Sequence, residues 1–377
     1  MEDIMNICLV FDDNYSKFAA ALIVSILKNS SAEDSFHFHI IEVELDEVIK
    51  NKLLLLKDIK DFEISFYKSP NIEKYKKLFN ILKKENPNVK CSYSIFIKLD
   101  ILFLFDNIDK MLFLDVDQIV LTRINKLFSL DLKDNYIGVF QHPKYCCQRY
   151  LKYKDLSNFL INDCEFSAVE ENYLAGDCVM YNLKLIRENK DYSEINKVIE
   201  QCFYNYNKAI FTEEHILLFI FRTKIMRMDF NLNETKNPPE DYQDWDTRQL
   251  KFLHFTGKRI NSYLQADYNG CFDSAYQTFW NYFQLTPFFK ENFIEYMNVF
   301  TSHTRKIFIE LNQIKNEIEN IKYSLQKIID NIAWWIPIKS LRNTFRNKFF
   351  DKFIGGGVNN GFKFLYHLNF RLNLKDM

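Results

Sequence analysis

Two aspartates separated by one residue follow a strongly apolar run, in which Met111–Leu114 leads directly into Asp115-Val116-Asp117. The run predicts a buried strand. Alternate side chains along a strand point the same way, so both carboxylates are expected to face one spot at its carboxyl end. In open α/β sheets ligands bind at that end. Because two such carboxylates repel each other unless a cation lies between them, the motif predicts a site for Mg²⁺ or Mn²⁺, ions that commonly also bind substrate phosphates.

A second polar cluster, Asp12-Asp13-Asn14-Tyr15, ends the apolar run Ile4–Phe11. A carboxylate and an amide could bind the polar edge of a pyrimidine while Tyr15 stacks on the ring, so one interpretation is a nucleoside pocket. The alternative is that these residues cap the following helix, a common role of Asp and Asn. No G-x-G-x-x-G sequence follows the strand, which argues against a Rossmann-type dinucleotide site.

His254 lies in the late apolar segment Lys251–Thr256, which precedes Gly257, Lys258 and Arg259. A histidine among apolar neighbours is most often an ordinary core residue. At the end of a strand, however, its imidazole could complete the carboxylate site as a third ligand, and such a mixed set of ligands favours Mn²⁺ over Mg²⁺. Lys258 or Arg259 could then offset negative charge on a departing phosphate.

The elements that must position these motifs form a β-α-β-α-β series followed by further strands and helices. Strands are predicted at Ile4–Phe11, Phe36–Glu44, Phe62–Tyr67, Met111–Asp117, Tyr136–Phe140, Asp177–Leu183 and Lys251–Thr256, and helices at Lys17–Lys28, Leu45–Lys60, Ser92–Phe105 and Ile210–Phe221. The polar segment Asn231–Asp246 predicts a surface loop. Strands and helices that alternate with short connections predict an α/β fold with a mainly parallel sheet covered by helices.

Composition narrows the class of protein. Apolar residues make up 47% and charged residues 26% of the 377 residues, with a net charge of −1, which predicts a soluble globular protein and gives no sign of nucleic-acid binding. The eight cysteines form no C-x-x-C pair and follow no secretory signal, so we expect reduced thiols in a cytosolic protein. The longest apolar runs, such as Ala19–Leu27, are too short to cross a bilayer.

Taken in order, the motifs resemble those of glycosyltransferase family 8, the retaining GT-A enzymes that include bacterial lipopolysaccharide α-galactosyl- and α-glucosyltransferases. The resemblance covers roughly residues 4–260. Phe11–Tyr15 resembles the family's A-D-D-N-Y turn, Phe96–Leu99 its Y-x-R-L helix nineteen positions before Asp115, and His254–Gly257 its late H-F-x-G. The resemblance implies a GT-A fold with a mixed sheet flanked by helices, to which this chain adds a helical carboxyl-terminal extension.

The same resemblance implies a role for each matched position. Asp115, Asp117 and His254 would hold Mn²⁺, with Mg²⁺ as the alternative ion. The UDP-sugar donor would be bound by these three residues together with Asp12, Asn14, Tyr15, Lys98, Val116, Gly257 and Lys258. Lys98 replaces the family's Arg in this set and is expected near the donor.

Departures from the family pattern fall around the donor sugar. Ala175-Gly176-Asp177 stands for the family's N-x-G element, so a contact from Asn to the sugar is lost and Asp177 is a candidate replacement. Glu213-Glu214 stands where the family has D-Q, at the start of a helix beside the sugar. Because the anomeric carbon becomes oxocarbenium-like, Glu214 is the candidate that stabilises or attacks it, with Glu213 and Asp177 as further catalytic candidates.

These observations predict a Mn²⁺-dependent retaining glycosyltransferase that moves a hexose from a UDP-sugar to a glycan or glycolipid acceptor, in the synthesis of lipooligosaccharide or another surface polysaccharide. Two alternatives stay open. A haloacid-dehalogenase-type phosphatase also has an apolar strand followed by D-x-D, but there the motif usually begins the domain and its first Asp is a nucleophile. A non-enzymatic, membrane-associated scaffold would leave the acidic residues solvated.

The carboxyl-terminal part of the chain has a different pattern. Hydrophobic residues spaced alternately by four and three predict a heptad seam made of Ile307, Leu311, Ile314, Ile318, Ile321, Leu325, Ile328 and Ile332. This seam either joins copies of the chain into a homo-oligomer or docks on the catalytic domain. The predicted domains are the GT-A catalytic domain at 1–270, a helical segment at 271–332 and a tail at 333–377.

The tail is basic and aromatic. Residues 331–377 contain eight Lys or Arg and two Asp, which gives this segment a net charge of +6. Within it, Trp334 and Trp335 precede several Phe. Such segments bind anionic membrane surfaces, although a packed helix with a solvated basic face has the same pattern. The protein is therefore expected in the cytoplasm, at the inner face of the inner membrane.

Overall fold

The computed structural model describes residues 4–87, 89, 92–141, 174–190, 192–205, 212–221, 224–228, 232–234, 251–255, 274–335 and 338–353. The chain divides into two compact units, Met1–Met297 and Asn298–Met377. The first unit contains the strands and the candidate site. The predicted boundaries at 270 and 332 stay predictions.

The amino-terminal half of the first unit is the predicted β-α-β-α-β series. Its strands are β1 (Met5–Phe11), β2 (Phe36–Glu42), β3 (Glu63–Lys68) and β4 (Lys110–Leu114), and its helices are α1 (Asp13–Lys28), α2 (Glu47–Leu54), α3 (Ile72–Glu85) and α4 (Ile101–Leu104). Short 3₁₀ segments occupy Leu55–Asp58 and Tyr93–Asp100. All four strands are parallel, with β1 between β2 and β4, so their carboxyl ends meet at one edge of the sheet.

The rest of the first unit makes the sheet mixed. It contains β5 (Gln118–Val120), α5 (Asn125–Phe128), β6 (Ile137–Gln141), β7 (Leu174–Asn182), α6 (Leu183–Asn189), α7 (Tyr192–Asn205), α8 (Glu213–Phe221), β8 (Ile225–Met228), β9 (Leu232–Glu234) and β10 (Phe252–His254). The main sheet has the order β3-β2-β1-β4-β7-β6-β8, and β7 is antiparallel to both its neighbours. A small second sheet has the order β5-β10-β9.

Helix α1 shows why this sequence folds as it does. Its side chains from Phe18 to Leu27 are all buried, and the three alanines Ala19, Ala20 and Ala21 let the helix pack closely in the core. Helix α9 (Ser274–Phe283) packs against α1, where the rings of Phe279 and Phe18 lie 6.0 Å apart. The first helix after residue 270 therefore completes the hydrophobic core of the first unit.

Two long helices follow, α10 (Phe289–Trp334) and α11 (Lys339–Phe353). In the second unit an ion pair of 2.8 Å joins Arg346 of α11 to Asp330 of α10, and the Arg342 guanidinium lies over the ring of Trp334. None of the helices in the described part of the chain is long and apolar enough to cross a membrane.

Three sequence-based assignments differ from the structure. Ser92–Phe105 was expected to be one helix, but residues 93–100 form a 3₁₀ segment that only then continues as α4. The polar segment Asn231–Asp246 contains strand β9, and its remaining residues lie outside the described part of the chain. Helices α3, α6 and α7 were not predicted, although the four-residue spacing of the buried Tyr75, Phe79 and Ile195, Ile199 marks two of them as amphipathic.

Candidate active site

Strand pairing brings Asp115, Asp117 and His254 together. Strand β4 ends at Leu114, one residue before Asp115, and the backbone N–H of Asp115 donates a 2.8 Å hydrogen bond to the carbonyl of Asp177. Strand β10 pairs antiparallel with β5, which places His254 opposite Gln118. The Phe255 N–H then donates to the Asp117 carbonyl at 3.0 Å, so the backbone joins the two segments beside the acidic motif.

The three side chains form one candidate metal site. One ligand atom from each of Asp115, Asp117 and His254 lies within 4.8 Å of the other two, and His254 Nε2 is 3.2 Å from Asp117 Oδ1. Two carboxylate oxygens and one imidazole nitrogen fit a borderline divalent ion such as Mn²⁺. The predicted convergence is present, but its backbone differs from the prediction, because Asp115-Val116-Asp117 lies in the turn between β4 and β5 and not in a strand.

Asp177 lies behind His254. Its carboxylate Oδ2 is 2.5 Å from His254 Nδ1, and both side chains are buried. Burial lowers the pKa of His254, but the carboxylates of Asp177 and Asp117 outweigh it and raise that pKa well above its usual value. Metal-binding histidines commonly donate their second ring N–H to a carboxylate in this way. Asp177 is predicted near the donor sugar, and the structure shows that its carboxylate contacts His254.

Lys98 lies between two acidic side chains. Its Nζ is 2.6 Å from Asp115 Oδ1 and 2.6 Å from Glu213 Oε1, and Glu213 is buried at the start of α8. Burial lowers the pKa of Lys98, yet Asp115 and Glu213 more than reverse this effect and raise it well above normal. Lys98 is therefore a fixed positive charge beside the acidic motif.

The surroundings of Asp115 raise the pKa of its carboxyl group. Burial raises its pKa to about 7, and the neighbouring Asp117 and Glu213 carboxylates also raise it, while Lys98 and His254 lower it. A divalent cation held by Asp115 and Asp117 would favour the ionised carboxylate, since an opposite charge at this distance stabilises the charged form. A cation at this position would therefore keep Asp115 ionised.

A cavity of about 380 Å³ opens beside these residues. It is lined by Val10, Phe11, Asp12, Tyr15, Val43, Ser92, Ser94, Ile95, Lys98, Asp115, Val116 and Asp117. Asp12 and Tyr15 come from the end of β1 and the start of α1, and Asp12 Oδ1 accepts a 3.0 Å hydrogen bond from Tyr15 N–H. Asp12 thus caps the helix and also faces the cavity, so the two interpretations of this motif are compatible.

Two other predicted residues, Asn14 and Glu214, are not among the described residues that line this cavity. Asn14 is exposed. Glu214 packs against Gly176 so closely that a Cβ added there would lie 2.2 Å from Glu214 Cγ. Gly257 and Lys258, together with Arg259, lie outside the described residues. Sequence reasoning missed Ser92 and Ser94; the one signal for them is that Ser92 caps the 3₁₀ segment that carries Lys98, by accepting a hydrogen bond from the Ser94 N–H.

The fold and the site together define a class of enzyme. A mixed α/β sheet with an acidic turn and a histidine beside a cavity at the carboxyl ends of its parallel strands is the arrangement of a GT-A glycosyltransferase. The chain belongs to Glycosyl transferase family 8, whose sequence profile matches residues 6–259. It is therefore a glycosyltransferase, which favours the transferase interpretation over the phosphatase and the scaffold. No curated protein sequence matches the chain.

Solved structures with this fold are distant in sequence. The galactosyltransferase LgtC in complex with donor and acceptor sugar analogs is 15% identical, with a TM-score of 0.56 over 76% of this chain and 100% of that chain. An active-site glutamine-to-glutamate mutant of LgtC is 16% identical, with a TM-score of 0.55 over 75% of this chain and 96% of that one. The bifunctional glycosyltransferase WbbM is 16% identical, with a TM-score of 0.58 over 78% of this chain but only 52% of its own length.

Proposed function

We propose that the protein is a retaining glycosyltransferase that uses a UDP-hexose donor and Mn²⁺ to extend a glycan or glycolipid acceptor of the bacterial surface. The observation that carries this proposal is the convergence of Asp115, Asp117 and His254 beside a cavity that also contains Asp12 and Tyr15. This cavity suits a nucleoside diphosphate, with the diphosphate and its metal at the charged end and the base at the aromatic end.

The cavity supports a nucleoside diphosphate as the bound group. Its volume of about 380 Å³ lies within the range of small-molecule sites, roughly 300–1,000 Å³. Tyr15 is half-buried and presents an aromatic face for a base, while Asp12 has a second carboxylate oxygen that can accept from the base's N–H. The uracil preference rests on the likeness of this turn to the family's pattern.

The metal would be held by Asp115, Asp117 and His254. When bound, it would supply positive charge that stabilises the departing diphosphate. The chain's own residues prepare the site by orienting the ligands, since Asp177 contacts the far nitrogen of His254 and Lys98 contacts Asp115. Lys98 also keeps the buried Glu213 paired.

Glu214 is the proposed residue at the sugar. It lies on the first turn of α8 beside Gly176 of β7, one residue after the buried Glu213 that holds Lys98. From there a carboxylate could stabilise positive charge on the anomeric carbon or attack that carbon, with retention of configuration after two displacements. The departing phosphate can itself accept the proton of the acceptor hydroxyl, so this proposal requires no separate protein base.

The tail supports a membrane-bound acceptor. Trp334 and Trp335 are 72% and 85% exposed, and α11 carries the exposed Lys339 and the half-buried Arg342. Exposed tryptophans beside basic residues favour binding at an anionic lipid surface. The proposed acceptor is therefore a lipooligosaccharide core or a similar lipid-linked glycan at the cytoplasmic face of the inner membrane.

The experiment is a donor screen with metal dependence. UDP-galactose, UDP-glucose and their N-acetyl forms are incubated with the protein and Mn²⁺, and slow release of UDP is measured with and without EDTA. We expect one donor to be hydrolysed, activity to vanish with EDTA, and Asp117→Asn to be inactive while Asp109→Asn, a surface change, keeps full activity. Absence of hydrolysis with every donor, together with no rise in Tm from UDP and Mn²⁺, would contradict the proposal.

A further inference from the structure

The seam of α10 is exposed to water along its described length. Six of its hydrophobic residues are between 37% and 59% exposed: Leu311, Ile314, Ile321, Leu325, Ile328 and Ile332. Ile318 is half-buried, and the side chain of Ile307 lies outside the described residues. An apolar stripe of this length is unfavourable in water and indicates an interaction surface.

We infer that this seam is a parallel coiled-coil interface that joins three or four copies of the chain. With Ile307 at position d of the heptad, Ile314, Ile321 and Ile328 also fall at d, while Leu and Ile alternate at a. Leu at d favours two-stranded coils, whereas Ile at d favours three or four strands. The occupant of the surface is therefore further copies of the same helix.

The charges beside the seam specify the orientation. Glu310 and Glu317 fall at position g, and Lys315 and Lys322 fall at position e. In a parallel coil each g residue faces the e residue of the next heptad on a neighbouring chain, so Glu310 meets Lys315 and Glu317 meets Lys322. An antiparallel arrangement would place like charges together.

The remaining helix faces are consistent with this assignment. Positions b, c and f are mainly polar and exposed in the described part of the helix, with four exceptions: Ile309 and Tyr323 at f, the buried Ala333 at b and the exposed Trp334 at c. Lys322 forms a 2.9 Å ion pair with Glu319 in its own chain. An exposed pair of this kind contributes little, so Lys322 can exchange this partner for Glu317 of a neighbouring copy.

The first test is the mass of the full-length protein by sedimentation equilibrium. We expect three or four times the chain mass of 45.4 kDa at micromolar concentration. The Ile314→Lys/Ile321→Lys variant should sediment as a monomer. The matched control is Ile309→Lys, which puts the same charge at an exposed position f of the same helix and should leave the mass unchanged.

The second test distinguishes a parallel from an antiparallel coiled coil and leaves the apolar residues of the seam unchanged. Glu310→Lys/Glu317→Lys should weaken assembly at least tenfold, because it places Lys opposite Lys between parallel copies. Adding Lys315→Glu/Lys322→Glu to the same chain should restore assembly. An antiparallel coil would show no loss in the first variant, and that result would overturn the proposal.

Different results are expected if the seam does not bind three or four copies of the chain. A wild-type mass of 45.4 kDa, or of twice that value, would overturn the proposed assembly. The same holds if Ile309→Lys dissociates the protein as completely as the seam variant. If the wild-type chain is monomeric and the seam variant loses binding to anionic vesicles, the seam is a lipid-binding surface and the proposal is wrong.

Discussion

Asp177 Oδ2 lies 2.5 Å from Nδ1 of His254, while Nε2 of the same imidazole faces Asp117 at 3.2 Å. The histidine is therefore held from both sides, and its inner nitrogen is committed to a carboxylate. A proton on Nδ1 would make Nε2 the nitrogen with which a neutral His254 could bind a metal beside Asp115 and Asp117. Asp177 is therefore placed to position His254 as a candidate metal ligand.

The first prediction concerns this pair. Asp177→Ala should weaken Mn²⁺ binding by about 10- to 100-fold, because the imidazole loses the group that fixes its tautomer and direction. Asp177→Asn should lose less, since the amide oxygen can still accept from Nδ1–H. Free Mn²⁺ is measured by electron paramagnetic resonance, with Asp109→Asn as the surface control. Equal affinity in Asp177→Ala and the wild type would contradict the role given to Asp177.

The second prediction concerns Lys98, whose ammonium group pairs with Asp115 and Glu213 in the candidate site. Lys98→Met should lower the stability of the metal-free protein by roughly 3 kcal/mol, because Asp115 and Glu213 lose their shared partner and repel each other. Mn²⁺ should then stabilise this variant more than it stabilises the wild type. The measurement is Tm with and without Mn²⁺.

Lys98→Arg serves as the control for charge, since it keeps a cation between the two carboxylates. It should retain most of the stability of the metal-free protein. If Lys98→Met unfolds at the wild-type temperature without metal, the ion pairs of Lys98 contribute nothing to the fold.

These two relationships also show what the sequence could not predict. The acidic turn was identifiable because an apolar run leads directly into it, and His254 because a short apolar segment surrounds it. Their convergence depends on the pairing of β5 with β10, which the hydrophobic periodicity of the sequence does not specify. The convergence was predictable only from the resemblance to the family.

The position of Asp177 shows most clearly what could not be predicted from the sequence alone. The sequence predicts a place for Asp177 near the donor sugar but does not predict its contact with His254. In the structure β7 runs antiparallel to β4 with Leu114 opposite Cys178, so Asp177 comes beside Asp115 and behind His254. A register between strands about sixty residues apart in the chain is set by packing of the whole sheet, and no local pattern in one sequence reveals it.

The third prediction uses the contact between Gly176 and Glu214. Gly176→Ala should displace Glu214, because the new Cβ would lie 2.2 Å from its Cγ, and should cost roughly 1–3 kcal/mol of stability. Donor hydrolysis should fall at least tenfold if Glu214 acts on the sugar. The measurements are denaturant unfolding and kcat for UDP release.

A double variant tests whether the effect of Gly176→Ala comes only from its clash with the Glu214 side chain. In Gly176→Ala/Glu214→Ala the displaced side chain is gone, so its stability and kcat should equal those of Glu214→Ala alone. A double variant that is much less stable than Glu214→Ala would show that Gly176 is required for another reason.

The fourth prediction concerns membrane binding by the exposed tryptophans. Trp335→Ser should reduce binding to vesicles that contain anionic lipid, because the ring is 85% exposed and free to enter the interface. Tyr204→Ser, which removes a 59% exposed ring from the first unit, is the control and should bind as the wild type does. The measurement is co-sedimentation with vesicles, and equal binding by both variants would count against the tail as the membrane contact.

The fifth prediction is a pH dependence of stability that originates from a buried histidine outside the candidate metal site. His39 on β2 is buried, with Nδ1 3.0 Å from the Tyr67 hydroxyl, Nε2 3.0 Å from Asn6 Oδ1, and its ring stacked on His37 at 3.9 Å. Burial, with a smaller contribution from His37, lowers the pKa of His39 to about 3. The fold therefore holds the imidazole neutral.

The sign of the effect follows from which state binds the proton. Below about pH 6.5 the unfolded chain protonates His39 while the folded chain does not, so acid favours unfolding by about 1.4 kcal/mol per pH unit down to the folded pKa. His39→Gln can still hydrogen-bond to Tyr67 and Asn6 but cannot take up the proton. Its free energy of unfolding should accordingly fall less between pH 7.5 and pH 4.5 than that of the wild type, measured by urea titration at each pH. Parallel pH profiles for the two proteins would mean that His39 is protonated in the folded state as readily as in the unfolded one.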